Sequence, residues 1–239
     1  MAPNISKAKK EGVMNEEKWD PGPGFDRAME WFLNCPEPFE QPENNRIKDL
    51  ISGWGNQGYS ALGDYIAGGI AQALVSKGPV LECGSGLTTV LLGAIGKARG
   101  YAIWTLEHKS KWAKKTRQAL DRYKIDSVTL CEAPLRDYGK FSWYDPPLSS
   151  MPDLFSLVIC DGPPGRTKGG RSGLLPIMGN RFAPGCIILL DDAHRDQELE
   201  TAQMWGKKLN TSFEILGSTR SYIKLLVPDK GSGNCFPKS

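Results

Sequence analysis

The chain has 239 residues and lacks most of the features that would place it in a special class. No two of its six cysteines form a C-x-x-C pair, which excludes the usual thiolate metal and redox motifs. Cys83, Cys131, Cys160 and Cys186 sit in or beside apolar, strand-like runs, where a free thiol behaves as a small hydrophobe. With Cys35 and Cys235 they imply a reducing compartment rather than a disulfide framework. No apolar run approaches the roughly 20 residues that span a bilayer. The opening "MAPNISKAKKEGVMNEEKW" has no apolar signal core. A protein acting in the cytoplasm, away from membranes, is therefore expected. Formal net charge is only +3, with Lys and Arg dispersed, which gives no electrostatic case for nucleic acid. There is no internal repeat.

What is present is an ordinary globular composition, with 40% hydrophobic and 24% charged residues. Residues 1–24 read as a flexible lead-in closed by "PGPG", and 229–239 as a loose tail. Residues 25–77 read as a helical cap: "FDRAMEWFL", a proline-rich break, then helix, Gly-rich turn and a helix over 60–76. From Gly78 the pattern alternates. Strands are predicted at 79–83, 101–107, 127–131, 155–161, 186–192, 213–218 and 222–227, with helices over 88–98, 111–123, 172–182 and 196–209. Strand and helix in alternation predict an α/β three-layer sandwich over 78–228, with a seven-stranded, mostly parallel sheet. The last two strands are joined too tightly for a crossover and must form an antiparallel hairpin.

Ligands of such sheets bind beyond the carboxyl ends of the strands. Here every parallel strand ends on or beside an acid: Glu82, Glu107, Glu132, Asp161, and the pair Asp191-Asp192. After the first strand, Gly84-Ser85-Gly86 permits a sharp turn and close approach of a ligand to the backbone at a helix start. A dinucleotide fingerprint would place glycine or alanine at position 89, and this chain has Thr89. Glu107, 21 residues after Gly86, suits the hydroxyls of a ribose.

In this order, "VLECGSG", "WTLEH", "CEAPL", "LVICDG" and "IILLDD" resemble the class I S-adenosylmethionine-dependent methyltransferases, over about residues 78–227. The resemblance implies S-adenosylmethionine as cofactor. It implies that Glu82, Gly84, Ser85 and Gly86 cradle its methionine part and that Glu107 holds the ribose. Glu132 and Ala133 would read the adenine edge, although the family often carries Asp at position 132.

Asp161, Asp191 and Asp192 end neighbouring strands and are expected to converge, where they would repel unless protonated or bound to a cation such as Mg²⁺. That set resembles the metal-dependent small-molecule O-methyltransferases, whose metal would hold and acidify an acceptor hydroxyl. Those relatives often have Asn where this chain has Asp192. The same acids also suit other roles: Asp161 toward the cofactor's amino group, Asp191 or Asp192 as a helix cap. His194, two residues past the Asp pair, stands as a candidate base beside Asp161 and Asp192, with a surface histidine as the alternative. His108 reads as a neighbour of the cofactor. The loop "GPPGRTKGGRSG" suggests either a mobile cationic lid of Arg166, Lys168 and Arg171 suited to an acidic acceptor or a plain solvated loop.

"WYDPPL" has only a loose likeness to the Asp-Pro-Pro-aromatic motif of nucleic-acid amino-methyltransferases, and it precedes the fourth strand instead of ending it. Trp54 and Tyr59 flank a Gly-rich turn in the cap and read as packing residues, with a wall for the cofactor or the acceptor as the alternative. The expected activity is methyl transfer from S-adenosylmethionine to an oxygen, less readily a nitrogen, of a small-molecule acceptor. The alternatives are a nucleotide-binding module of the same fold without transfer, and a nicotinamide-dependent oxidoreductase.

Overall fold

A computed structural model describes residues 19–55 and 61–229. The predicted start of the cap's last helix at Ser60, Tyr59, most of the lead-in, Cys235 and the tail from residue 230 lie outside the described residues. Nine strands and seven α-helices follow one another among them. The cap contains α1 (Gly22–Asn34), a 3-10 turn (Glu37–Glu40), α2 (Asn45–Trp54) and α3 (Gly63–Val75). Helix α1 begins inside the stretch read as a lead-in. Its prolines fall at the helix start, where a missing N–H costs nothing. Trp19 packs edge-on against Phe25 and Trp54, at 5.3 and 5.1 Å between ring centroids.

The alternating part runs β1 (Val80–Cys83), α4 (Leu87–Arg99), β2 (Ile103–Glu107), α5 (Ser110–Arg122) and β3 (Val128–Glu132). A small hairpin, β4 (Leu135–Asp137) with β5 (Ser142–Tyr144), precedes β6 (Phe155–Cys160). Then come α6 (Leu174–Met178), β7 (Phe182–Leu190), α7 (Asp196–Leu209), β8 (Phe213–Leu216) and β9 (Tyr222–Leu226). The order across the main sheet is β3-β2-β1-β6-β7-β9-β8. The first five of these strands are parallel, and β9 is antiparallel to both β7 and β8. The seven-stranded sheet with its reversed terminal hairpin is thus as the alternation predicts. The β4–β5 hairpin is an addition, and the helix expected over 172–182 shrinks to five residues between Gly173 and Gly179.

Alternation along the strands builds two cores. Val80, Leu157, Ile159 and Leu189 face the layer of α1 to α4, where Phe25, Met29, Trp54 and Tyr65 join them. Leu81, Cys83, Val158, Cys160 and Leu190 face the layer of α6 and α7 with Trp143 and Trp205. The cap helices therefore share one core with α4 and the sheet. Polar ties reinforce the docking. Tyr65 Oη donates to the Leu189 carbonyl at 3.3 Å. Asp64 of α3 accepts from the backbone N–H groups of Ser218, Thr219 and Arg220 at 3.1, 3.1 and 3.3 Å, fixing the β8–β9 turn. Among the described residues, no helix is long and apolar enough to cross a membrane.

Candidate active site

The strand order reverses between β1 and β6, so the turns leaving them part and open a crevice. A cavity of about 580 Å³ lies there. Its walls are residues 84–88 after β1, 107–109 after β2, and the segment from Asp161 to Arg166 after β6. Asp191, Asp192 and Arg195 after β7, Arg220 from the hairpin turn, and Trp54 and Ala61 from the cap complete them.

The β1 turn is built for a close approach. Gly84 has φ +93°, a region that disfavours side chains, and its N–H donates to the Leu106 carbonyl at 2.9 Å. The N–H of Gly86 donates to Thr89 Oγ1 at 2.9 Å, so the residue at the dinucleotide-fingerprint position serves as a cap for α4. Glu107 closes the turn from the next strand. Its Oε2 accepts from Ser85 N and Ser85 Oγ, both at 2.9 Å, and its Oε1 accepts from Lys109 N at 2.7 Å. Burial pushes the Glu107 pKa up. The His108 side chain, whose Nδ1 lies 3.3 Å from Oε1, and the Ser85 and Lys109 donors outweigh burial and hold it below its ordinary value.

Two expected cofactor contacts are placed elsewhere. Glu82 is fully buried on the α4 side of the sheet, where Thr88 Oγ1 and Thr105 Oγ1 donate to it at 2.5 and 2.8 Å. Its carboxyl joins strand to helix beneath the turn instead of facing the cavity. The reason is parity: a residue inside a strand points across the sheet, not over its end. Glu132 turns outward on the edge strand, 44% exposed, and pairs with Arg117 at 2.6 Å. Ala133 is buried, and its N–H donates to the Glu107 carbonyl at 2.7 Å. Past Glu107 the cavity wall is made by His108, Lys109 and Trp112.

At the other end, Asp161, Asp191 and Asp192 converge, with carboxylate oxygens within 4.8 Å of one another. Their counter-charge is an arginine. Arg171, 2% exposed, donates through Nη2 to Asp161 Oδ1 at 3.0 Å and Asp192 Oδ2 at 2.7 Å. It also donates to the main-chain oxygens of Asp191 at 2.7 Å and Asp161 at 3.1 Å. Asp192 accepts in addition from Arg220 Nη2 and forms an ion pair with Arg195 Nη1 at 2.8 Å. This overturns the placement of Arg171 in a mobile lid. Of the three lid cations, Arg166 and the buried Arg171 line the cavity, and Lys168 turns away to pair with Asp137 at 3.3 Å. The set also does not fit an added divalent ion. A guanidinium already lies against two of its three carboxylates, and a second cation there would be repelled. We derive no step through a metal.

The electrostatics divide the three acids. Burial, with Asp191 beside it, holds Asp161 well above the usual carboxylate range. Burial and Asp192 likewise raise Asp191. Burial would raise Asp192 too, but Arg171, Arg220 and Arg195 outweigh it and keep it low. Asp161 is also the accessible member, with its side chain 26% exposed against 3% for Asp192. His194, the other candidate base, is exposed and is not part of the cavity wall among the described residues. Sequence reasoning missed the roles of Arg195, Arg220 and Asp64, none of which carries a motif.

The sheet order and the crevice define the fold of class I S-adenosylmethionine-dependent methyltransferases. Solved structures of that class match it across most of the chain. An S-adenosylhomocysteine-bound methyltransferase of Podospora anserina aligns over 87% of this chain and 89% of its own, with TM-score 0.56 and 15% identity. The C-terminal domain of precorrin-6Y C5,15-methyltransferase from Rhodobacter capsulatus aligns over 79% and 96%, with TM-score 0.53 and 13% identity. A SAM-dependent O-methyltransferase of Thermotoga maritima aligns over 71% and 66%, with TM-score 0.52 and 13% identity. No protein-family model and no curated protein sequence matches the chain.

Proposed function

We propose that this chain is a cytoplasmic methyltransferase that uses S-adenosylmethionine to methylate an oxygen of a small-molecule acceptor. The observation that carries the reading is the Glu107–Ser85 pair at the wall of the crevice, an ionised acid bound to the Gly-rich turn at the switch point. The cavity volume of about 580 Å³ falls in the range of small-ligand pockets, which runs to roughly 1,000 Å³. When bound, the cofactor supplies an electrophilic methyl group on a sulfonium. Glu107 and the Ser85 hydroxyl would meet its ribose, and the backbone of residues 84–86 would hold the part next to the sulfonium. Asp161, at the opposite wall, would take the proton of the acceptor hydroxyl as its oxygen bonds to the methyl carbon and the methyl–sulfur bond breaks, leaving S-adenosylhomocysteine. Burial and the neighbouring Asp191 raise its proton affinity, which favours accepting that proton. Arg171 holds Asp161 Oδ1 and so fixes the carboxylate for that task. The cap wall, through Trp54 and Ala61, helps exclude water.

The test is ligand-induced stabilisation. S-adenosylhomocysteine should raise the melting temperature and NAD should not; stabilisation by NAD alone would replace this reading with the oxidoreductase one. A panel of hydroxylated small molecules then separates an enzyme from a binding module, through transfer of labelled methyl.

A further inference from the structure

The acceptor half of the cavity gathers positive charge around one carboxylate. Arg171, Arg195 and Arg220 come from three separate segments, and all three reach Asp192. Asp192 is held for this with φ +64°, its N–H donating to Asp191 Oδ1 at 2.7 Å. Arg220 is held by the turn that Asp64 clamps from the cap. Arg166 adds a fourth guanidinium to the wall, exposed, and no acid is paired with it among the described residues. On this half, four arginines face the three aspartates Asp161, Asp191 and Asp192, with Glu198 buried behind them at 3.9 Å from Arg171 Nε and Arg195 Nη1.

The roles of the four differ. Arg171 is buried and committed to the strand ends. Arg195 and Arg220 are 42% and 28% exposed and reach Asp192 through one terminal nitrogen each. A guanidinium carries five N–H donors in a planar fork, so both keep donors to offer, and Arg166 spends none on an acid among the described residues. Planar forks of this kind match the oxygens of a carboxylate or phosphate.

We propose that the acceptor is an oxyanion-bearing molecule, a carboxylate or phosphate with a hydroxyl to be methylated, and that Arg166 and Arg195 bind its anionic group, with Arg220 and Asp192 positioning the fork. This rests on the methyl-transfer reading for the hydroxyl, whereas the anion site stands on the arginines alone.

The experiment is calorimetry on the protein loaded with S-adenosylhomocysteine. The probes are inorganic phosphate, 4-hydroxybenzoate and the neutral methyl ester of 4-hydroxybenzoate. At least one of the two oxyanions should bind and the ester should not, and phosphate against carboxylate tells which oxyanion the site prefers. Arg166→Gln with Arg195→Gln should weaken that binding by about tenfold or more, since each lost charge-assisted contact carries that order of affinity. Lys168→Gln, on the outer side of the same loop, should leave it unchanged. Failure of both oxyanions, equal binding of the ester, or no effect of the double substitution overturns the proposal. So does a matching loss of S-adenosylhomocysteine affinity in the double variant, which would assign the arginines to the cofactor's own carboxylate. If S-adenosylhomocysteine does not bind at all, the methyl-transfer reading falls, and the same titration on the unloaded protein still decides the anion site.

Discussion

Arg171 Nη2 lies 2.7 Å from Asp192 Oδ2, and neither side chain is more than 3% exposed. The pair joins the loop after β6 to the end of β7 and sits where a divalent ion was expected. Removing one partner of such a buried pair leaves the other charge uncompensated, at a cost of about 3–5 kcal/mol. Arg171→Met keeps much of the side-chain length and should lose stability on that scale in urea unfolding. A loss under about 1 kcal/mol would mean that water already serves the cluster. Mg²⁺ or Mn²⁺ should not raise the melting temperature of the unaltered protein. Arg171→Met, which frees Asp161 and leaves Asp192 to Arg195 and Arg220, should acquire such a response if it folds. A divalent-ion shift in the unaltered protein would restore the metal reading directly.

Glu107 serves both turn and cavity, so its substitution should have two separable effects. Glu107→Ala leaves the Ser85 and Lys109 N–H groups without their acceptor and should cost about 1–3 kcal/mol before any ligand is added. It should also abolish stabilisation by S-adenosylhomocysteine. Ser85→Ala removes only the hydroxyl link at 2.9 Å and should change cofactor affinity by less than about tenfold. Calorimetry with S-adenosylhomocysteine on both variants checks this. An undiminished ligand response in Glu107→Ala would remove the ribose assignment.

The sequence carries the sheet because period-two apolar runs and helical runs alternate without ambiguity, and the tight 213–227 segment admits only a hairpin. Convergence of Asp161 with Asp191 and Asp192 is legible for the same reason: adjacent parallel strands bring their ends together. Side-chain direction is less so. Glu82 is the third residue of a four-residue strand and alternates with Leu81 and Cys83, which sends it into the α4 layer. Glu132 ends an edge strand, where water and Arg117 compete for it. The arginines are harder still. Arg171 lies 21 residues from Asp192 and Arg220 lies 28, both reached through loops that leave no periodic trace. The β4–β5 hairpin has three residues per strand, too few for alternation to register.

Asp64 links the cap to the arginine cluster. Its carboxylate accepts three consecutive N–H groups, Ser218 to Arg220, from the β8–β9 turn, where Gly217 adopts φ +94°. Asp64→Asn keeps the shape but turns an amide donor toward those N–H groups. It should cost about 1–3 kcal/mol of stability. Because Arg220 rides on the turn, oxyanion binding should weaken while S-adenosylhomocysteine binding holds. Stability equal to the parent protein would show that the turn needs no clamp from α3.

Glu82 gives the chain a pH dependence of its own. Burial, only partly offset by the threonine hydroxyls, pushes its pKa from 4.5 up to about 7. Between those values the folded state holds a proton that the unfolded chain has released, so stability falls as pH rises from about 4.5 to about 7 and then levels off. The full effect is roughly 3 kcal/mol, from the size of the shift at about 1.4 kcal/mol per unit. Glu82→Gln removes the titration, and Thr88 and Thr105 can each turn to meet an amide, since a hydroxyl both donates and accepts. The variant's stability relative to the parent should therefore rise across this window, since every other group titrates in both proteins and cancels. Urea unfolding of the two proteins at the two ends of the window measures it. A difference that stays constant with pH would place an ionised carboxylate in the core at all pH values. The charge would then have to be compensated by more than the hydroxyls of Thr88, Thr89 and Thr105.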